Sequence, residues 1–223
     1  MGLAWSIAYQ IFSAQVEDYG DSKGISFFFW GNFISAWLGA KAFFLLFSAG
    51  EQTTQFLVNQ NFWLGGGFVF YGGLIGASAF TLIIIFGLGK FSINNLRYCP
   101  PALAIGHGIG RLGCFLTGCC FGGVCERPWS VFLHGAYRHP VQLYESFLLF
   151  IIGLFLFKKA KDPKFPMVAV YITFYSVTRF ILEFFRADSI RGVFSGVSTS
   201  QLISIVLFII GIALFLLNRR TND

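Results

Sequence analysis

Seven apolar runs recur along the chain, and most of them approach 20 residues in length. They lie near residues 2–14, 26–48, 67–88, 101–121, 142–158, 167–186 and 200–218. An α-helix needs about 20 mostly apolar residues to cross the hydrocarbon core of a bilayer. Charged residues make up 12% of the chain, against about 25% in soluble domains. The sequence therefore predicts an all-α, polytopic membrane protein of about seven transmembrane helices, with one domain over residues 1–223.

The first run is shorter than a full span and starts at Met1. One interpretation is an abbreviated first helix of a chain whose native start lies further upstream. The other is a signal peptide that is cleaved near Ala14. The second is disfavoured because secretory signals have basic residues before the apolar stretch, and none is present here.

Basic residues between the runs predict the orientation. They cluster in the third-to-fourth and fifth-to-sixth connections and after the last run, as Lys90, Arg97, Lys158, Lys159, Lys161, Lys164, Arg219 and Arg220. Seven crossings put these sites on one side, which the positive-inside rule makes cytoplasmic. The segment 49–66, without Lys or Arg, is expected outside. The C-terminus is then cytoplasmic, and the net charge of +6 is a topology signal rather than a sign of nucleic-acid binding.

Charged residues inside the sixth run form a polar face. Tyr171, Tyr175, Arg179 and Glu183 recur every four residues, and Arg186 follows three later. At 3.6 residues per turn they stack on one side of a helix, and charges within a span mark function by default. One interpretation is a structural Arg–Glu pair that locks two helices together. The other is an anion site, because a guanidinium offers a rigid fork of donors suited to phosphate.

The glycine-rich fourth run carries His107, Arg111 and Cys114 at positions i, i+4 and i+7. Glycines permit close helix packing, which is the simpler interpretation. The alternative is that this face forms the wall of a polar cavity opening to the outer side. There His107 is the candidate general base, because imidazole titrates near neutral pH. We expect Glu145 and Glu183 to orient arginines.

Five cysteines are present: Cys99, Cys114, Cys119, Cys120 and Cys125. A disulfide from Cys125 to Cys119 or Cys120 is one expectation, on an oxidising outer side. No metal site is expected, because zinc requires four ligands in fixed geometry and His107 and Cys114 lie far along the chain from Cys125. A thiol redox carrier is disfavoured because the Cys-x-x-Cys pattern is missing.

Six segments, in this order, resemble elements of the bacterial prolipoprotein diacylglyceryl transferases. They are Gly2-Leu3, Gly39-Ala40-Lys41, Tyr71-Gly72-Gly73-Leu74-Ile75-Gly76, Gly110-Arg111-Leu112-Gly113-Cys114-Phe115, Arg138-His139-Pro140-Val141-Gln142-Leu143-Tyr144-Glu145, and Tyr175 through Arg179 to Glu183. The resemblance implies a seven-helix enzyme of the bacterial inner membrane. Such enzymes transfer diacylglyceryl from phosphatidylglycerol to the lipobox cysteine of a preprolipoprotein signal peptide, release glycerol phosphate, and use no metal or organic cofactor.

The matched motifs and the chemistry of their residues together predict the site. The expected catalytic residues are His107, Arg111, Arg179 and Tyr71. Tyr71 is alternatively an interfacial anchor, the commoner role of a membrane tyrosine. The expected substrate-binding residues are Cys114, Gly72, Gly73, Tyr144, Glu145, Tyr175, Glu183 and Arg138.

Four positions depart from the pattern that the family resemblance implies. Tyr71 stands in place of a His, Cys114 and Thr117 in place of Asn, and Cys119 in place of Glu. The departures indicate a divergent branch. They leave open a related lipid-modifying enzyme with a small thiol or headgroup acceptor. A lipid or anion transporter is less favoured, because no paired repeat with broken helices is visible.

Overall fold

The computed structural model describes residues 2–47, 62, 69–186, 193–194 and 197–222, with the backbone alone at 70, 71, 193, 194, 197, 221 and 222. These residues contain seven α-helices: α1 (Gly2–Tyr19), α2 (Ile25–Phe47), α3 (Phe70–Leu82), α4 (Cys99–Leu116), α5 (Val141–Lys159), α6 (Met167–Glu183) and α7 (Thr199–Asn222). A π-helical turn, Ile83–Gly87, continues α3, and a 3-10 helix, Ile93–Tyr98, leads into α4. The predicted all-α class is confirmed.

The strands of the described residues form two short antiparallel hairpins. Strand β1 (Val131–Leu133) pairs with β2 (Ala136–Arg138), and β3 (Val193–Phe194) pairs with β4 (Val197–Ser198). Both hairpins lie in connections between helices.

Each apolar run contains one helix, but two helix ends differ from the expectation. Helix α1 continues past residue 14 to Tyr19. Helix α4 stops at Leu116 rather than near 121, and Gly118 and Cys120 beyond it have φ angles of 68° and 59°. A right-handed helix cannot continue through left-handed residues, which explains the early end. Of the segment 49–66 expected outside, Phe62 alone lies within the described residues.

Three of these helices are long and apolar enough to cross a membrane: α2, α5 and the part of α7 from Thr199 to Arg220. A shorter apolar stretch covers Gly72–Gly87. Large apolar side chains are exposed on the helices, including Leu46, Phe86 and Leu217. Extensive exposed apolar surface is typical of a chain surrounded by lipid. The protein is therefore a membrane protein.

The chain divides into two compact units, residues 1–19 with 96–223 and residues 20–95. In the second unit, α2 and α3 pack backbone to backbone. A side chain at Gly39 would overlap the carbonyl oxygen of Gly72, and one at Gly76 would overlap that of Ser35. Small residues of this kind allow close helix approach within membranes.

In the first unit, α4 packs between α1 and α5. A methyl group added to Gly106 would lie 3.1 Å from Ala8 Cβ, and one added to Gly153 would lie 2.6 Å from Ile105 Cγ1. Helix α6 packs against both α5 and α7. This arrangement brings the charged faces of α4 and α6 into one unit.

Basic connections meet at one end of the first unit. Arg97, just before α4, donates hydrogen bonds to the backbone oxygens of Asp162 and Pro163 between α5 and α6. Asn218 near the end of α7 donates to Lys164 O at 2.9 Å. Helix α4 starts at this end and is about 27 Å long at 1.5 Å per residue. Its C-terminal end and the β1–β2 hairpin therefore lie at the opposite end.

At that opposite end, the connection after α4 is attached to the end of α6. The backbone nitrogen of Gly122 donates to His139 O at 3.0 Å, and that of Gly123 donates to Phe185 O at 2.9 Å. Gly122 also forms a β-bridge with Arg186. The end of α6 is thus held by the segment that precedes the hairpin.

Candidate active site

A buried ion pair joins α4 to α5. Arg111 Nη2 lies 3.0 Å from Glu145 Oε1, and the Glu145 side chain is fully buried. Arg111 also acts electrostatically on the Tyr175 side chain of α6. The expectation that Glu145 orients an arginine agrees with this geometry. The Arg111 guanidinium therefore joins α4 to α5 and lies close to the polar face of α6.

His107 lies one turn before Arg111 on α4. Its Nε2 is 3.7 Å from Glu145 Oε1, which is longer than a hydrogen bond, and its side chain is about one third exposed. Its ring centroid is 5.5 Å from that of Tyr175. The His107 imidazole thus lies beside the ion pair and is still partly exposed.

A second ion pair lies within α6. Arg179 Nη2 is 2.7 Å from Glu183 Oε2, and Arg186 Nε is 4.0 Å from the same oxygen. Arg179 also donates to Ser200 Oγ on α7 at 3.0 Å. Because Arg179 and Glu183 are one turn apart on the same helix, this pair does not lock two helices together. That interpretation of the sequence is wrong for this pair, and it is the Ser200 contact that reaches the neighbouring helix.

Tyr175 lies near both ion pairs. It lies one turn before Arg179, and both Arg111 and Arg179 act electrostatically on it and on His107. Tyr171, a further turn along, stacks on Tyr175 with ring centroids 6.1 Å apart. The predicted polar face of α6 therefore turns toward the charged face of α4.

Both arginines keep hydrogen-bonding capacity. Arg111 Nε and Arg179 Nη1 are buried and have no acceptor among the described residues. A buried guanidinium donor without an acceptor is costly, and charged donors bind anionic oxygens most strongly. The pair of arginines is therefore suited to hold an anionic group between α4 and α6.

A pocket of about 330 Å³ lies between α1 and α4. Apolar residues such as Ala4, Ala8 and Leu103 form most of its wall, and His107, Arg111 and Cys114 line it as well. The prediction that these last three share one face is confirmed. The pocket thus combines a lipid-like wall with a basic edge.

Arg138 and Tyr144 lie at the hairpin end. Arg138 Nε donates to Leu133 O at 3.1 Å, and its guanidinium stacks over the Phe121 ring at 4.7 Å. Tyr144 OH lies 3.3 Å from His139 Nδ1. These contacts stabilise the hairpin and its junction with α5. A substrate-binding role for both residues stays a prediction.

Three predicted residues belong to the other compact unit. Gly72 and Gly73 face α2, where they permit the close approach of the two helices. The side chain of Tyr71 lies outside the described residues. The catalytic role of Tyr71 and the substrate-binding roles of the two glycines stay predictions.

All five cysteines lie among the described residues, and all are free thiols. The expected disulfide at Cys125 is therefore wrong. Cys125 is buried where its backbone pairs with Tyr137, whereas the Sγ atoms of Cys119 and Cys120 point to Cys114. These three Sγ atoms lie within 4.8 Å of one another.

Neither this group of three thiols nor the Ser200 contact was predicted from the sequence. Turn residues after Leu116, including Gly118, return Cys119 and Cys120 toward Cys114. A helix running to residue 121 would have separated them along its axis. Glycine followed by two cysteines was the signal that could have suggested a turn. Ser200 follows the second hairpin, whose path no local pattern predicts.

The fold and the site together define a helical membrane protein with buried arginine–glutamate pairs beside an apolar pocket. Comparison with known proteins gives the particular family. The prolipoprotein diacylglyceryl transferase family model matches residues 1–217. The chain belongs to that family.

Several relatives named phosphatidylglycerol–prolipoprotein diacylglyceryl transferase are similar to this chain. The Campylobacter lari protein is 32% identical over 261 aligned positions, covering 97% of this chain and 95% of the relative. The Clostridium tetani protein is 34% identical over 165 residues, covering 70% and 66%. The second such transferase of Clostridium perfringens is 36% identical over 165 residues, covering 70% and 64%. The chain thus spans slightly under two thirds of the two clostridial relatives.

Proposed function

We propose that this protein transfers diacylglyceryl from phosphatidylglycerol to the lipobox cysteine thiol of a preprolipoprotein. The thiol sulfur bonds to the glyceryl carbon that carries the phosphate, and the bond between that carbon and the phosphate oxygen breaks. Glycerol phosphate leaves with the bonding electron pair, and the thiol gives up its proton. Membership of the family and the names of the relatives support this reaction.

The observation that carries the proposal is the placement of Arg111 and Arg179. The phosphodiester has one negative charge, and the leaving glycerol phosphate gains a second as the bond breaks. Buried donors that are already in place stabilise developing charge strongly, by about 3 kcal/mol each. Arg111 Nε and Arg179 Nη1 are buried donors of this kind.

The two glutamates hold these arginines in position. Glu145 fixes Arg111 between α4 and α5, and Glu183 fixes Arg179 along α6. Arg111 Nε and Arg179 Nη1 take no part in these contacts, so they remain for phosphate. We therefore assign Glu145 and Glu183 as positioning residues.

We assign His107 as the base that accepts the thiol proton. Its side chain borders the pocket and is partly exposed, so a thiol can approach it. A neutral imidazole nitrogen can accept a proton, whereas a guanidinium cannot. The apolar wall formed by α1 and α4 would hold an acyl chain while the headgroup lies at the basic edge.

We further propose that the chain crosses the bacterial inner membrane seven times, with its C-terminus in the cytoplasm. The meeting of basic connections around Arg97, Lys164 and Asn218 at one end supports this orientation, because positive charge favours the cytoplasmic side. The C-terminal end of α4 and the hairpin then face outward, and the cavity beside Arg111 opens to the outer side.

The test uses purified protein with phosphatidylglycerol labelled in its headgroup and a lipobox peptide. Release of labelled glycerol phosphate together with a thioether on the peptide cysteine is expected. A peptide with Ser in place of the lipobox Cys is the control, and it should release no label. A chain that is folded and binds phosphatidylglycerol but gives no release would contradict the proposal.

A second candidate acceptor, a small thiol, is suggested by Cys114, which lines the pocket beside Arg111 where the family resemblance implies Asn. This change alters the polarity of the wall next to the reacting group. A small thiol could then replace the peptide. Label release with a small thiol but without peptide modification would favour this alternative.

A further inference from the structure

Cys114, Cys119 and Cys120 form a compact group whose thiols take no chemical part in the proposed transfer reaction. Their three Sγ atoms lie within 4.8 Å of one another. A tetrahedral zinc with Zn–S bonds of about 2.3 Å requires sulfur atoms about 3.8 Å apart. The observed spacing is therefore within about 1 Å of a metal-bound arrangement.

We propose that these three cysteines bind a thiophilic metal ion of the Zn²⁺ class through their thiolates, with water as the fourth ligand. Soft sulfur ligands select such ions over Mg²⁺ or Ca²⁺. Binding converts three thiols to thiolates and releases three protons to solvent. This inference requires no step of the proposed transfer reaction, although Cys114 also lines the pocket beside Arg111.

Hydrogen bonds hold the turn that brings the thiols together. The backbone nitrogen of Cys119 donates to Cys114 O at 3.0 Å, and Gln142 Nε2 on α5 donates to Cys119 O at 2.6 Å. Gln142 is almost fully buried, so it anchors the turn to the helical core. The backbone of this turn is therefore already ordered before an ion binds.

Exposure and nearby charge favour the ion-bound state. Cys119 is exposed, so an ion has a route from solvent. Thr117 Oγ1 lies 3.4 Å from Cys119 Sγ and can donate its proton there or to the oxygens of Gly113 and Cys114. Three thiolates with one divalent cation have a net charge of −1. Arg111, which acts electrostatically on Cys114, offsets that charge.

A disulfide would involve fewer of these three sulfur atoms than a metal ion. It would consume two of the thiols, leave the third unpaired and require an external oxidant. A metal ion uses all three sulfur atoms and requires none. The convergence of three sulfur atoms therefore favours a metal.

The first test measures Zn²⁺ bound to the full chain, purified in detergent under reducing conditions, stripped with chelator and titrated. One equivalent per chain is expected for the native sequence. Cys114→Ser, Cys119→Ser and Cys120→Ser should each weaken binding roughly tenfold or more, since losing even an outer-shell partner costs 10–100-fold. Cys99→Ser is the matched control and should bind as the native chain does.

The second test uses the native chain alone, which avoids any folding defect of the variants. Zn²⁺ should slow alkylation of Cys114, Cys119 and Cys120 together, as read by mass spectrometry of each peptide, and Mg²⁺ should not. The proposal is overturned if the native chain retains no Zn²⁺, if the triple serine variant binds it equally, or if Cys99→Ser loses binding to the same extent. Unchanged alkylation in the presence of Zn²⁺ would overturn it as well.

Discussion

Arg111 Nη2 on α4 lies 3.0 Å from Glu145 Oε1 on α5, and the glutamate has no exposed side-chain surface. Two charges buried together lose their hydration, and their mutual attraction roughly offsets that loss. Removing either charge leaves the other without compensation. The pair therefore determines both how α4 and α5 are joined and how the Arg111 guanidinium is presented to the pocket.

Glu145→Gln should lower stability by about 3 kcal/mol, because it leaves the Arg111 charge buried without its partner. The expected result is a lower midpoint of thermal unfolding in detergent. Glu183→Gln is the matched control. In this variant Arg179 keeps its bond to Ser200, so the loss of stability should be smaller. Equal destabilisation by both changes would contradict the special role of the pair between helices.

Arg111→Ala and Arg179→Ala should each reduce transfer by 100-fold or more, on the order of the effect of removing one preorganised donor. Arg→Lys at either position should recover part of the loss, because the charge returns without the fork of donors. The quantity to measure is the release of labelled glycerol phosphate by protein purified from membranes. Lys161→Ala, an exposed change, should leave the rate as it is. Full activity in either alanine variant would refute the anion-site assignment.

His107→Gln should reduce turnover by roughly 100-fold or more, the usual contribution of a general base. Binding of phosphatidylglycerol should change little, because Arg111 and Arg179 remain. The deficit should narrow as the pH rises above about 8.5, where the acceptor thiol ionises without help. The pH profiles of the variant and the native chain check this. Parallel profiles with equal losses in binding and turnover would exclude the base role.

Gly39→Ala should destabilise the packing of α2 on α3 by about 1–3 kcal/mol, the range for overpacked interiors. The added methyl group would overlap the Gly72 carbonyl oxygen. Gly113→Ala is the matched control, because its methyl group would meet nothing within 4 Å. Thermal unfolding of both variants gives the comparison, and similar midpoints would argue against close α2–α3 contact.

The helices could be predicted from the sequence because burial in lipid requires long apolar runs. The Arg179–Glu183 contact could likewise be predicted from the sequence, since residues four apart share a helix face. The Arg111–Glu145 contact depends on how α5 is rotated about its axis. Gln142, Glu145 and Ser146 share one face at the start of α5, which indicates an inward side, but the rest of the helix is apolar and does not show which arginine Glu145 meets.

The thiol group is difficult to predict for a different reason. Hydropathy continues smoothly from α4 through Cys119 and Cys120, so it does not indicate where the helix ends. The end is set by left-handed backbone at Gly118 and Cys120 and by the hydrogen bond from Gln142. That partner is more than 20 residues away in the chain.

The attachment of Gly122 and Gly123 to the end of α6 has a mechanical consequence. Arg179 and Glu183 share the last turns of α6, whose end is bonded to this segment through Phe185 and Arg186. Glu145 lies in the first turns of α5, and the same segment is bonded to His139 just before that helix. One short connection therefore restrains the helix ends that carry both glutamates, so cutting it would release both ion pairs together.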